Sequence, residues 1–187
     1  MTPVRSAARP LLSDRLPLTD LPVEDVVPDL RAALTTHSSA VLIAPPGAGK
    51  TTLVPLRLVD EPWVKGRRIV MLEPRRLAAR AAAQRMSAML GEQVGGTVGY
   101  QTRDERRIGS DTRIEVVTEG VLTRRLQNDP SLDNTALVIF DEVHERNVPT
   151  DLGLSFLLDA RRALGSDTRI LAMRSEEHTS ELQSRLH

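Results

Sequence analysis

The sequence predicts an α/β domain built on a mostly parallel sheet, and three observations carry that expectation. Short apolar runs alternate with longer stretches of helical periodicity. A glycine-containing loop joins one such run to the helix that follows it, the arrangement of a phosphate-binding turn. A second apolar run ends in two adjacent carboxylates, which a parallel sheet would bring to its carboxyl edge, where ligands bind.

Along the chain, residues 1–28 carry Pro3, Pro10, Pro17, Pro22 and Pro28 and no sustained periodicity. Residues 1–20 therefore read as a flexible leader, followed by a short helix from about Pro28 to Leu34 that enters a domain spanning 21–173. Buried strands are expected at Ala40–Ile43, Arg68–Leu72, Ile114–Val117, Ala136–Phe140 and Arg169–Met173. The intervening helices begin after the glycine loop, at Leu77–Leu90, at Gly120–Gln127 and at Thr150–Leu164. The second of these places Ala78, Ala82, Met86 and Met89 on one face and ends at Gly91. Thr150 reads as the N-cap of the last helix, which Gly165 closes.

Composition narrows the function. The 25 basic and 25 acidic residues cancel, which excludes a globally basic nucleic-acid coat and a supercharged disordered protein. With 2% aromatic residues, base stacking on an aromatic platform cannot dominate nucleic-acid binding. The absence of cysteine excludes disulfides, thiolate zinc sites and a cysteine nucleophile, and fits a cytoplasmic protein. No apolar run reaches the ~18 residues of a membrane span, and the first residues lack the apolar core of a secretion signal. Two of the 25 basic residues are lysines, and one of them, Lys50, lies in the glycine loop.

That loop reads Ala44-Pro-Pro-Gly-Ala-Gly-Lys-Thr-Thr52. Its amides, with the helix N-terminus behind them, suit an anion. Pro46, Gly47, Ala48, Gly49, Lys50, Thr51 and Thr52 are accordingly the expected nucleotide-binding residues, with Lys50 reaching the β- and γ-phosphates and the Thr51 hydroxyl on Mg²⁺. Ala44 stands where the phosphate-loop pattern usually has its first glycine. Pro55 is expected within the first turn or so of the helix, where proline is tolerated. The carboxylate pair belongs to Ala136-Leu-Val-Ile-Phe-Asp-Glu-Val-His144. Asp141 is expected to hold Mg²⁺ and Glu142 to polarise an attacking water.

Asp141-Glu142-Val143-His144 resembles motif II of the DEAH-box helicases, with valine in the third place. Leu72-Glu-Pro-Arg-Arg-Leu-Ala-Ala79 resembles their motif Ia, and Thr118-Glu-Gly-Val-Leu122 their motif Ib, most like the bacterial HrpB-type branch. The resemblance implies the amino-terminal RecA-like lobe of a superfamily 2, ATP-dependent RNA helicase using ATP and Mg²⁺. It further implies that Pro74, Arg75, Arg76, Thr118, Glu119 and Gly120 contact the backbone of single-stranded RNA, DNA being left open. Arg85 would stack on the nucleotide base, and His144, counted with Glu142 among the catalytic residues, would link the nucleotide site to motif III and to a second lobe. Two other readings are a stand-alone nucleotide- or RNA-binding module without catalysis, and another kind of P-loop ATPase; the Pro-Arg-Arg and Thr-Glu-Gly blocks speak against the latter. The pairs Arg106-Arg107, Arg124-Arg125 and Arg161-Arg162 read as solvated faces.

After Met173 the family continues with motif III and a second lobe. Here Arg174-Ser-Glu-Glu-His-Thr-Ser-Glu-Leu-Gln-Ser184 instead resembles the translation of a sequencing-library adapter, so 174–187 are expected to be an artefactual, poorly packed tail. The arginines that a facing lobe supplies to the transferring phosphoryl group would then lie outside these residues.

Overall fold

The computed structural model describes residues 11–143 and 148–176. Among these, seven strands form one sheet in the order β1-β7-β6-β2-β5-β3-β4. They are β1 (Ser39–Ala44), β2 (Arg68–Leu72), β3 (Val98–Gln101), β4 (Arg106–Arg107), β5 (Ile114–Val117), β6 (Thr135–Phe140) and β7 (Arg169–Ser175). All pairings are parallel except that of β3 with β4. The sequence expectation of a mostly parallel α/β domain holds.

The pleat divides the apolar side chains between two cores. Ile69, Met71, Ile114, Val116, Leu137, Ile139, Leu171 and Met173 face a layer made by α2 (Val23–Thr36), α3 (Lys50–Leu58) and α4 (Arg76–Met89), which follow the four-residue α1 (Leu12–Arg15). Val70, Leu72, Val117, Val138, Phe140 and Ile170 face α5 (Glu119–Asn128) and α6 (Val148–Leu164). Burial on both faces explains why these strands read as unbroken apolar runs. Register sets up the site. Leu72 lies beside Val117 on one side and Phe140 on the other, so three strand ends deliver Glu73, Thr118 and Asp141 to one edge.

Several elements depart from expectation. Residues 11–20 pack onto the domain instead of forming a loose leader. Leu12 and Leu16, four apart, are buried, and Arg15 bonds Glu92 and the Leu90 carbonyl. The following helix starts at Val23 rather than near Pro28, burying Val23, Val27, Leu30 and Leu34 at helical spacing. β3 and β4 carry no strong apolar run and are unforeseen. Their close pairing needs glycine at 99, where a Cβ would stand 2.4 Å from the Arg107 carbonyl oxygen. α6 starts two residues before Thr150, whose hydroxyl donates to Glu119 (3.1 Å) instead of capping the helix. Pro55 sits in the second turn of α3, and buried. Gly91, with φ of 67°, follows the end of α4 in the left-handed conformation expected of a terminator.

Two differences concern charge and the chain's last stretch. Arg106 and Arg107 are exposed, and Arg124 is exposed, as expected of solvated arginines. Arg125 is not: it bonds Gln101 (2.9 Å) and, with Arg68, pairs with Glu115, which is wholly buried in β5. β7 runs two residues past Met173, pairing Arg174 with Ile43 and the buried Ser175 with Ala44. The strand therefore ends after the point where the sequence pattern breaks. His144 and residues 177–187 lie outside the described residues.

Candidate functional site

A cleft of about 350 Å³ opens at the carboxyl edge of the sheet, lined by Pro46 through Thr52, Arg85, Glu142 and Leu21. The loop that forms its floor owes its shape to two glycines with positive φ, Gly47 (74°) and Gly49 (92°), a region that side-chain-bearing residues seldom enter. Gly49 is the N-cap of α3. The amides of Lys50 and Thr51 open that helix, have no preceding turn to donate to, and carry its positive dipole end. Lys50 is buried, and its Nζ donates to the carbonyls of Ala44 (2.7 Å) and Pro45 (2.9 Å) and to Ser175 Oγ (3.3 Å).

Thr51 Oγ1 donates to Asp141 Oδ2 at 2.6 Å, joining the loop to the end of β6. Burial pushes the Asp141 carboxyl up to about 6, helped by the negative charge of Glu142 and opposed by the Thr51 hydrogen bond and Lys50. Such a hydroxyl–carboxylate pair is a hard-oxygen donor set suited to Mg²⁺, and a cation there would relieve the penalty on the buried carboxylate. Glu142 has a φ of 53°, uncommon outside glycine and costly, which turns the chain sharply after β6 and brings its side chain to the cleft wall. Its carboxylate accepts a hydrogen bond from Ser175 Oγ (3.3 and 3.4 Å).

The residues expected to contact RNA form a separate group on the same edge and do not line the cleft. Glu73 N donates to the Val117 carbonyl (3.0 Å), so Pro74-Arg75-Arg76 and Thr118-Glu119-Gly120 lie side by side at two helix starts. Arg75 and Arg76 are exposed, and Arg76 is paired with Asp104 of the β3–β4 turn. Thr118 is buried, Glu119 accepts from Thr150, and Gly120 opens onto free space.

Two site residues escape a reading of the sequence. Leu21 lies in the stretch bordering the expected leader, and nothing in its local pattern marks it. Glu73, buried between the two groups, accepts a hydrogen bond from the Arg75 amide (3.3 Å). Burial raises its carboxyl to about 7; that bond opposes the rise, and the charges of Asp141 and Glu142 add to it. A carboxylate between Leu72 and Pro74 was the available signal, since it follows a buried strand directly.

The family model for DEAD/DEAH box helicases matches residues 26–154. The ATP-dependent RNA helicase HrpB of Escherichia coli (strain K12) is 47% identical over 169 residues, covering 90% of this chain and 21% of that protein. The ATP-dependent RNA helicase HrpA homolog of Haemophilus influenzae is 34% identical over 137 residues, covering 73% of this chain and 10% of that protein. The crystal structure of E. coli DExH-box NTPase HrpB matches with a TM-score of 0.81 at 47% identity, over 91% of this chain and 21% of that one. The chain thus spans about a fifth of the length of HrpB.

Proposed function

The chain belongs to the DEAD/DEAH box helicase family, and from that membership we propose that residues 21–173 are the ATP-binding, ATP-hydrolysing lobe of an ATP-dependent RNA helicase. The observation that carries the proposal is the meeting of Lys50, Thr51, Asp141 and Glu142 at one cleft. The loop amides and Lys50 hold the phosphates of ATP. Thr51 and Asp141 hold Mg²⁺, which when bound draws negative charge from the phosphate oxygens. Glu142 accepts a hydrogen bond from the attacking water and takes its proton as the water oxygen bonds to the γ-phosphorus and ADP leaves. Lys50 must leave the Ala44 and Pro45 carbonyls to reach a phosphate, so nucleotide exchanges neutral acceptors for charged ones.

RNA runs over Pro74-Arg75-Arg76 and Thr118-Glu119-Gly120, held by its backbone, as a motor moving along any sequence requires. A facing second lobe completes the ATP site with arginines, and lobe movement steps the enzyme along the strand. No described helix is long and apolar enough to cross a membrane; the reading places the work in the cytoplasm. Calorimetric titration of Mg·ADP into the 187-residue chain and its Lys50→Ala variant tests the site. The variant is expected to bind about 30-fold more weakly, the loss of a charge-assisted contact. Equal affinities would remove the phosphate-cradle assignment.

A further inference from the structure

We propose that Leu21 is a nucleoside-contacting residue of the ATP site, an apolar wall delivered by the segment that precedes the first long helix. The inference rests on the reading of the cleft as a nucleotide site and adds a residue that none of the helicase motifs contains.

Leu21 is half-buried, and its inner part packs against the core beneath α2 and α3. The remainder lines the cleft together with Arg85 and Thr52. It also presses on the phosphate loop: a Cβ at Gly49 would lie 2.8 Å from Leu21 Cδ1. The φ of Gly49 disfavours a side chain there, and one would also push Leu21 aside.

The segment holding Leu21 is fastened rather than laid loosely over the loop. Arg57, buried near the end of α3, pairs with Glu24 and donates to the Pro17 carbonyl (2.9 Å). Thr19 Oγ1 also donates to Glu24 (3.3 Å), and Val23 N donates to the Ala48 carbonyl (3.1 Å) within the phosphate loop. Residues 17–24 are therefore tied to the same helix and loop that hold Lys50 and Thr51.

The lining of the cleft is of two chemical kinds. Lys50, Thr51 and Glu142 suit phosphate, metal and water. Leu21 offers methyl groups only, which gain nothing from phosphate and stabilise the face of a flat, weakly polar ring by excluding water. With the guanidinium of Arg85 also on the cleft, a base meets one apolar and one planar cationic surface, and neither reads its hydrogen-bonding edge.

The experiment compares Mg·ADP with magnesium tripolyphosphate, which carries the phosphates and no nucleoside, on the 187-residue chain. Calorimetry or competition gives affinities for wild type, Leu21→Ala, Leu21→Met and Lys50→Ala. Leu21→Ala is expected to lose about five- to thirty-fold for Mg·ADP, the range for one apolar contact removed, and to keep its affinity for tripolyphosphate. Leu21→Met is expected to restore most of the ADP affinity, and Lys50→Ala to weaken both ligands. Unchanged tripolyphosphate binding also shows that Leu21→Ala is folded. If Leu21→Ala weakens both ligands equally, the residue merely supports the loop and the inference is wrong; it is equally wrong if neither ligand is affected. Indifference of both ligands to Lys50→Ala would instead overturn the nucleotide-site reading itself.

Discussion

Replacing Glu73 by Gln should make the protein more stable, increasingly so as the pH rises from about 4.5 to 7. The Glu73 carboxyl directly follows β2 in a buried position, and burial together with the charges of Asp141 and Glu142 raises it from 4.5 to about 7. The folded state therefore keeps a proton between about pH 4.5 and 7 that the unfolded chain gives up. More protons on the folded state means stability falls as pH rises through that window, by about 3 kcal/mol once the window is passed. Glutamine keeps the shape and the acceptor for the Arg75 amide and carries no charge. Urea denaturation of both proteins at pH 5 and pH 8, without Mg²⁺ or nucleotide, reads the effect. The gain on substitution should be small at pH 5 and larger by about 2–3 kcal/mol at pH 8. A difference between the two proteins that is the same at both pH values would show that Glu73 ionises normally. Lower stability of Glu73→Gln at pH 8 would show that its charge is used, not tolerated.

Two further expectations concern arginines. Replacing Arg75 and Arg76 together by Ala should weaken single-stranded RNA binding and reduce its log–log salt slope by about 1.4, two phosphate contacts' worth, as fluorescence anisotropy across a salt series would measure. Binding that is sequence-selective and survives high salt would refute a backbone-directed site. Arg125→Ala, which strips one partner from the buried Glu115, should cost about 2–4 kcal/mol in chemical denaturation, whereas Arg124→Ala on the exposed face should stay within about 0.5. Equal costs would mean that the Arg68–Glu115–Arg125 cluster is solvated.

What could be read from the sequence follows from how local each signal is. The glycine loop, the carboxylate pair and the buried strands are short-range patterns, and the structure places Pro46 through Thr52, Arg85 and Glu142 on one cleft. β3 and β4 were not legible because a four-residue and a two-residue strand have too little apolar surface to show a period. Leu21 and the packing of residues 11–20 were hidden for a different reason. Prolines mark the absence of regular structure, but they do not say whether an irregular segment is docked, and here Arg57, distant in sequence, fastens it. Arg124 and Arg125 show the limit most simply. They are adjacent and chemically identical, and the partners that distinguish them, Glu115 and Gln101, lie away in sequence on the strands β5 and β3.

Steady-state ATP hydrolysis by these 187 residues, with and without single-stranded RNA, is the most direct test of the division of labour proposed for the ATP site. A two-lobe protein rebuilt on an intact relative provides the reference rate. In the proposed division of roles Glu142 would orient a water, while charge developing on the transferring phosphoryl group would need arginines from a facing lobe. The expected rate is ~10³-fold or more below the reference, a deficit of about 4 kcal/mol in transition-state stabilisation, with no stimulation by RNA. RNA-stimulated turnover at the two-lobe rate, abolished by Glu142→Gln, would contradict it, because catalysis would then be complete within this lobe.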